Sequence, residues 1–127
     1  GLRLVIITNQ QGIGLGYFGM DEFIAVNQRM LREFGARGVS IERIYFCPHS
    51  ESAGCDCRKP RPGMLLRACQ ELGVDPLECF FIGDTEADEE AGRRAQILTW
   101  IVGREDGDFQ AAASQILTSI SGVGKQP

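Results

Sequence analysis

Several residue types are scarce in this chain, and each scarcity argues against a class of protein. The 127 residues include only one histidine and one tryptophan, and 13 basic residues are outnumbered by 17 acidic ones, so the net charge is −4. This acidic balance argues against a nucleic-acid surface. No apolar run approaches the ~20 residues that a membrane-spanning helix requires. We therefore expect neither a nucleic-acid partner nor a membrane partner.

The remaining composition is that of an ordinary folded domain. Hydrophobic residues make up 43% and charged residues 24% of the chain, as in typical globular proteins. A chain of this length has room for one hydrophobic core. We predict one domain over residues 1–120, followed by a tail at 121–127. The odd cysteine count, five, favours a reducing cytoplasmic location over a disulfide framework.

Three of the cysteines and the only histidine fall within residues 47–60. Cys47 and His49 are two residues apart, as are Cys55 and Cys57, and residues so spaced in extended backbone point to the same side. Three thiolates and one imidazole form a closed tetrahedral set that is typical of structural zinc. The alternative is a group of ordinary buried thiols, against which the Ser, Gly and Asp content of the segment argues.

Two basic residues, Arg58 and Lys59, follow the last of these thiols directly. A lysine ammonium is a compact cation that suits a phosphate group. We therefore interpret the metal as holding in place the loop that presents Lys59.

Short apolar runs alternate with segments of helical periodicity along the chain. Strands are predicted at 2–7, 44–47, 79–82 and 97–102, and helices at about 21–37, from 62 to 73, after the third strand, and at about 108–120. This order predicts a three-layer α/β sandwich with a mostly parallel sheet. Glycines at 12, 14, 16 and 19 predict a flexible loop, and dinucleotide binding is a weak alternative because their spacing does not fit its fingerprint.

Polar residues follow two of the predicted strands. Thr8 and Asn9 directly follow the first, and Asp84 opens an acidic cluster after the third. Open α/β sheets bind ligands at the carboxyl ends of their strands, and carboxylates bind Mg²⁺. Acidic residues also favour a helix N-terminus through capping and the helix dipole. Both uses are compatible, and we favour Asp84 as the functional carboxylate.

Together these motifs resemble those of the haloacid dehalogenase (HAD) superfamily of phosphatases. Within it they look like the zinc-loop branch that contains histidinol-phosphatase and D-glycero-D-manno-heptose 1,7-bisphosphate phosphatase. The similarity extends from Leu4 to about Val102 and depends on Thr8-Asn9-Gln10-x-Gly12-Ile13, Cys47-Pro48-His49, Cys55-x-Cys57-Arg58-Lys59-Pro60 and Gly83-Asp84. The resemblance implies a Rossmann-like (HAD-like) fold and Mg²⁺-dependent hydrolysis of a small phosphorylated metabolite. Heptose 1,7-bisphosphate is favoured over histidinol phosphate.

The resemblance also implies a role for each matching residue. Thr8 and Asn9 would hold phosphoryl oxygens, Arg58 would contact substrate, and Lys59 would bind the phosphate and neutralise its charge. Asp84 would bind the catalytic Mg²⁺. The structural zinc would be held by Cys47, His49, Cys55 and Cys57.

One family motif has no counterpart before Thr8: an Asp-x-Asp whose first aspartate is the nucleophile and whose second is the acid and base. Residues 106–108 (Asp-Gly-Asp) have the right letters, but no strand leads into them, so a turn is the better interpretation. We therefore expect an inactive fragment whose sheet lacks its first, central strand, which the missing segment or another chain would supply. A non-catalytic phosphate- and zinc-binding remnant and a purely structural zinc domain are the alternatives.

Overall fold

The computed structural model describes residues 2–103 and 107–124, in which strands and helices alternate along the chain. The elements are β1 (Val5–Asn9), α1 (Gln11–Gly14), α2 (Met20–Ala36), β2 (Arg43–Cys47), α3 (Gly63–Leu72), β3 (Phe80–Gly83), α4 (Glu86–Ala95), β4 (Leu98–Ile101) and α5 (Phe109–Gly124). This alternation of strands and helices confirms the predicted α/β class.

The chain divides into two compact units, residues 1–58 and 59–127. In the first unit β1 pairs with β2 in parallel, so that Asn9 lies opposite Cys47. In the second, β3 pairs with β4 in parallel, and Gly83 lies opposite Ile101. Among the described residues, each strand has one hydrogen-bonded neighbour. The expectation that a strand is missing between β1 and β3 stays a prediction.

Packing in the first unit is centred on aromatic residues of α2 and β2. Phe23 is buried, and its ring centroid lies 4.6 Å from that of Phe46. The prediction of a flexible glycine loop is partly wrong, because α1 begins at Gln11. Gly14 lies so close to the loop after β2 that an added Cβ would be 3.2 Å from the Ser50 nitrogen. Close backbone approach of this kind requires glycine.

Packing in the second unit involves apolar residues on one face of α3. Met64, Leu65, Ala68 and Cys69 are the buried residues of α3. The helix ends at Gly73, whose φ of 66° lies in the left-handed region that favours glycine. The predicted end of this helix is therefore confirmed.

The last helix, α5, ends at Gly124, four residues beyond its predicted end at residue 120. The predicted tail at 121–127 therefore begins as helix, and residues 125–127 lie outside the described residues. Of the Asp-Gly-Asp segment, Asp106 also lies outside them, while Gly107 has a φ of 88°. None of the described helices is long and apolar enough to cross a membrane.

Candidate functional site

The loop that follows β2 brings together four side chains that could hold a metal ion. The Cys47 sulfur lies 3.5 Å from the Cys55 sulfur and 2.8 Å from the Cys57 sulfur. His49 Nδ1 lies 3.4 Å from the sulfur of Cys47 and 3.3 Å from that of Cys57. All four ligand atoms lie within 4.8 Å of one another. The predicted zinc-binding set therefore converges on one point.

These separations fit a tetrahedral ion after a small expansion of the cluster. Sulfur ligands about 2.3 Å from zinc are about 3.8 Å apart in tetrahedral geometry. The Cys47 and Cys55 sulfurs are near this separation, whereas the Cys47 and Cys57 sulfurs, at 2.8 Å, would have to move apart to admit an ion. Among the described residues, no other group of three or more His, Cys, Asp or Glu side chains could hold a metal.

The clustered thiols change one another's protonation. Burial, together with hydrogen bonds to the sulfurs of Cys47 and Cys55, raises the pKa of Cys57 to about 12. Burial also tends to raise the pKa of Cys55, but hydrogen bonds from the Arg58 backbone and the neighbouring thiols outweigh it and lower this pKa to about 6. Cys55 is therefore the first of these two thiols to become a thiolate, the form that binds metal.

Backbone hydrogen bonds join the metal-binding loop to the segment after β1. The Gln10 N–H donates to the Cys47 carbonyl at 2.7 Å, and the Gly14 N–H donates to the Pro48 carbonyl at 2.8 Å. The side-chain amide of Gln10 also donates to Thr8 Oγ1 at 3.0 Å. The Thr8 hydroxyl in turn donates to the Asn9 carbonyl at 3.4 Å, a long hydrogen bond that a closer acceptor would replace. Gln10 thus orients Thr8, a contact that the sequence alone did not predict.

Arg58, which closes the first unit, carries an unsatisfied donor. Its Nη1 atom is buried and has no hydrogen-bond partner among the described residues. A buried charged donor without a partner is unfavourable, and an anion would satisfy it. This observation is consistent with the predicted contact between Arg58 and substrate.

Asp88 is the centre of a polar cluster in the second unit. Its side chain is buried, and Oδ1 accepts a hydrogen bond from the Lys59 ammonium. Oδ2 accepts from the N–H groups of Asp84, at 3.0 Å, and Thr85, at 3.2 Å. Burial raises the pKa of Asp88, but the Lys59 ammonium and these N–H groups outweigh it and lower the pKa. The carboxylate is therefore charged and holds Lys59 in place.

The residues around the start of α4 explain how the Asp88 carboxylate is positioned. Thr85 caps α4: its hydroxyl accepts the Asp88 N–H at 3.1 Å, while Asp88 accepts the Thr85 N–H. The two residues thus form a capping box. Gly83 makes room for it, since a Cβ there would lie 2.6 Å from the Asp88 carboxyl carbon. Helix capping was the alternative role predicted for this acidic segment, and Asp88 does take part in capping α4.

The predicted site residues are distributed over both units. Thr8, Asn9, Arg58 and the four metal-binding residues belong to the first unit, and Lys59 and Asp84 belong to the second. The Asp84 side chain is exposed at the end of β3, as a ligand to Mg²⁺ would need to be. Sequence analysis did not predict the pairing of Asp88 with Lys59, although the spacing Thr85-x-x-Asp88 is the signature of a capping box.

Parallel strand pairs that alternate with helices place the chain among the α/β proteins, a class in which ligands commonly bind at the carboxyl ends of the strands. The chain belongs to the haloacid dehalogenase-like hydrolase family, whose model matches residues 1–96. This confirms the predicted superfamily and the HAD-like fold.

Similar proteins include two bacterial phosphatases. The D-glycero-beta-D-manno-heptose-1,7-bisphosphate 7-phosphatase of Pasteurella multocida is 42% identical, and the match covers 98% of this chain and 73% of that protein. The D-glycero-alpha-D-manno-heptose-1,7-bisphosphate 7-phosphatase of Campylobacter jejuni is 45% identical, over 84% of this chain and 62% of that protein.

A solved structure is also similar. The D,D-heptose 1,7-bisphosphate phosphatase of B. bronchiseptica, complexed with magnesium and phosphate, superposes with a TM-score of 0.84 at 29% identity. The superposition covers 92% of this chain and 75% of that one.

Proposed function

We propose that this chain is the phosphate-binding portion of a Mg²⁺-dependent phosphatase that acts on a small sugar phosphate of the heptose 1,7-bisphosphate type. The observation that carries the proposal is the Lys59 ammonium, which is held against the buried carboxylate of Asp88. A lysine so fixed needs no reorganisation to neutralise a phosphoryl group. The names of the similar proteins support the same substrate class.

The roles proposed for the remaining residues follow from their contacts. In the first unit, the Thr8 hydroxyl, which accepts from Gln10, donates to a phosphoryl oxygen, and Asn9 beside it holds another. The unpartnered Nη1 of Arg58 donates to a phosphate of the substrate. These donors position the substrate, and positioning with charge neutralisation is most of what phosphoryl transfer requires from a protein.

The two metals have separate proposed roles. In the second unit, the exposed Asp84 carboxylate is the proposed ligand of Mg²⁺, while both oxygens of Asp88 are already engaged. When bound, Mg²⁺ would neutralise charge on the phosphoryl oxygens. In the first unit, the set of three thiols and one imidazole would hold a structural Zn²⁺, because four protein ligands leave no position for a reacting water.

The 127 residues contain no Asp-x-Asp before Thr8, and we propose that by themselves they bind phosphate compounds without hydrolysing them. Catalysis would then need an aspartate from a further segment or chain. Purified residues 1–127 should release no phosphate from heptose 1,7-bisphosphate in the presence of Mg²⁺. Turnover that is lost in Asp84→Ala would contradict this part of the proposal. A cytoplasmic location remains part of the proposal, since the metal-binding thiols have to stay reduced.

Substrate binding can be tested by calorimetry with heptose 1,7-bisphosphate, histidinol phosphate and inorganic phosphate. The informative variant is Arg58→Gln, because removing an unpartnered donor should not impair folding. Loss of a charge-assisted hydrogen bond should weaken heptose bisphosphate binding about 10- to 100-fold. Arg29→Gln removes an equal charge from an exposed ion pair with Glu33 and should bind as the unsubstituted chain does.

Two results would count against the proposed substrate. Tighter binding of histidinol phosphate than of heptose bisphosphate would favour the histidinol-phosphatase alternative. Absence of saturable binding by all three compounds, with and without Mg²⁺, would leave only the structural zinc domain.

A further inference from the structure

The second unit contains a pair of thiols that neither the phosphate-binding residues nor the metal-binding loop uses. The sulfurs of Cys69 and Cys79 lie 4.0 Å apart. Cys69 is buried on α3, whereas Cys79 is partly exposed just before β3. Ordinary packing of buried cysteines explains the burial of Cys69 but not the contact between the two sulfurs.

The turn between α3 and β3 brings these thiols together. After α3 ends, the Val74 N–H donates back to the Cys69 carbonyl at 3.0 Å. Asp75 then caps the following 3₁₀ turn by accepting the Leu77 N–H at 2.9 Å. The Cys79 thiol itself donates to the Asp75 carbonyl at 3.3 Å. The contact is therefore set by a closed and hydrogen-bonded turn.

We infer that Cys69 and Cys79 form a reversible dithiol–disulfide site that a small disulfide, such as glutathione disulfide, oxidises. A disulfide bond is about 2.05 Å long, so the two sulfurs approach by about 2 Å when the bond forms. The partly exposed position of Cys79 gives the oxidant access, and Cys69 lies next to it as the resolving thiol.

The reaction is two successive thiol–disulfide exchanges. The Cys79 thiolate attacks one sulfur of glutathione disulfide, the S–S bond breaks, and one glutathione leaves as a thiolate that takes up a proton. The Cys69 thiolate then attacks the Cys79 sulfur and releases the second glutathione. Two protein thiols become one disulfide, and one glutathione disulfide becomes two glutathione molecules.

The environment of Cys79 makes this exchange slow. Burial, the neighbouring Cys69 thiol, and the charges of Glu78 and Asp75 raise the pKa of Cys79 to about 11. Thiolate is then scarce at neutral pH, and the attacking form is seldom present. The pair therefore responds to a sustained change in the ratio of thiol to disulfide rather than to a brief pulse of oxidant.

Peptide mapping can test the site in the folded chain, loaded with zinc and equilibrated in mixtures of reduced and oxidised glutathione. Trypsin places both thiols in one peptide, residues 68–93, and the metal-binding cysteines in another, residues 44–58. Further cleavage after glutamate separates Cys69 (residues 68–71) from Cys79 (residues 79–86). We expect these two short peptides to be recovered joined by a disulfide.

The disulfide of the folded chain should form at a glutathione ratio about tenfold more reducing than that of the urea-unfolded chain, because the fold holds the sulfurs in contact.

Substitutions provide the controls. Cys69→Ser should leave Cys79 as a mixed disulfide with glutathione, since no resolving thiol remains, and Cys69→Ala should do the same if serine impairs folding. Closure should raise the Tm of the unsubstituted chain by about 5–10 °C, because a short loop is constrained in the unfolded state. Recovery of both thiols in reduced form, linkage to residues 44–58 instead, or equal closure in the unfolded chain would each overturn the inference.

Discussion

The two compact units, residues 1–58 and 59–127, both place polar side chains at the end of a parallel strand pair, but they hold those side chains differently. In the first unit, the metal-binding residues lie in an irregular loop and meet through their sulfur and nitrogen atoms. In the second, Asp88 and Lys59 are held by an ion pair and a capping box within a helix. We propose that the first arrangement depends on a bound ion, whereas the second is satisfied by the chain itself.

Removal of metal should therefore reveal the difference between the two units most clearly. Where a metal site does not exist in the unfolded chain, the free energy of metal binding contributes directly to the free energy of folding. We expect chelation to raise amide hydrogen exchange in residues 47–58 by at least about tenfold, while residues 80–101 keep their protection. Mass spectrometry of the zinc-loaded and metal-free chains would measure both effects.

A matched pair of cysteine substitutions sharpens this test. Cys57→Ser should abolish stoichiometric zinc binding and mimic chelation, whereas Cys69→Ser should leave the zinc content unchanged. Equal loss of protection in both units after chelation would show that the metal supports the whole chain, and the proposed difference between the units would be wrong.

Breaking the ion pair should affect the second unit nearly as strongly. Asp88→Asn removes the carboxylate that pairs with the largely buried Lys59 ammonium, and removal of one partner of a buried pair costs about 3–5 kcal/mol. Urea unfolding followed by tryptophan fluorescence would report it, because Trp100 lies in β4.

The double variant Lys59→Met, Asp88→Asn is the control for this measurement. It removes the uncompensated charge and should recover part of the lost free energy of unfolding. If the single and double variants were equally unstable, the cost would come from the capping box and not from the ion pair.

These two clusters also differ in how far the sequence predicts them. The spacing of Cys47, His49, Cys55 and Cys57 predicted the metal-binding set, because soft ligands are rare and few other uses explain such a grouping. Asp88 was not singled out, because five acidic residues follow Gly83 within seven positions and composition does not say which of them is buried. That distinction depends on α4 turning one carboxylate toward Lys59, which is a property of packing.

The ends of the strands show the same limit of prediction from a single sequence. The first strand was predicted to end at residue 7, but β1 includes Thr8 and Asn9. Hydrophobicity marks the buried part of a strand, whereas its end is set by hydrogen bonds to β2 that a single sequence does not contain. Similarly, α1 was missed because glycine is unfavourable in helices, and its close contact with the loop after β2 outweighs this preference.

A smaller effect is expected at Gly83, where the capping box has no room for a side chain. In Gly83→Ala the new methyl group would overlap the Asp88 carboxylate, with 2.7 Å to Oδ2, and overpacking of this kind costs about 1–3 kcal/mol. Gly35→Ala is the matched control, because a Cβ at this helical position meets nothing within 4 Å. It should stabilise the chain by about 0.5–1 kcal/mol. Changes of the same sign in the two variants would contradict the proposed packing around Asp88.

A further prediction is a loss of stability at high pH that originates in the second unit. The pKa of Cys79 is raised from 9.0 to about 11 in the folded chain, through burial first and the Cys69 thiol second. The folded state therefore retains the thiol proton where the unfolded state has lost it. Stability from this preference is complete below pH 9 and decreases between pH 9 and pH 11. Urea midpoints measured across this range should fall less steeply for Cys79→Ser, which has no proton to lose there, and identical pH profiles would mean that solvent already reaches the Cys79 sulfur.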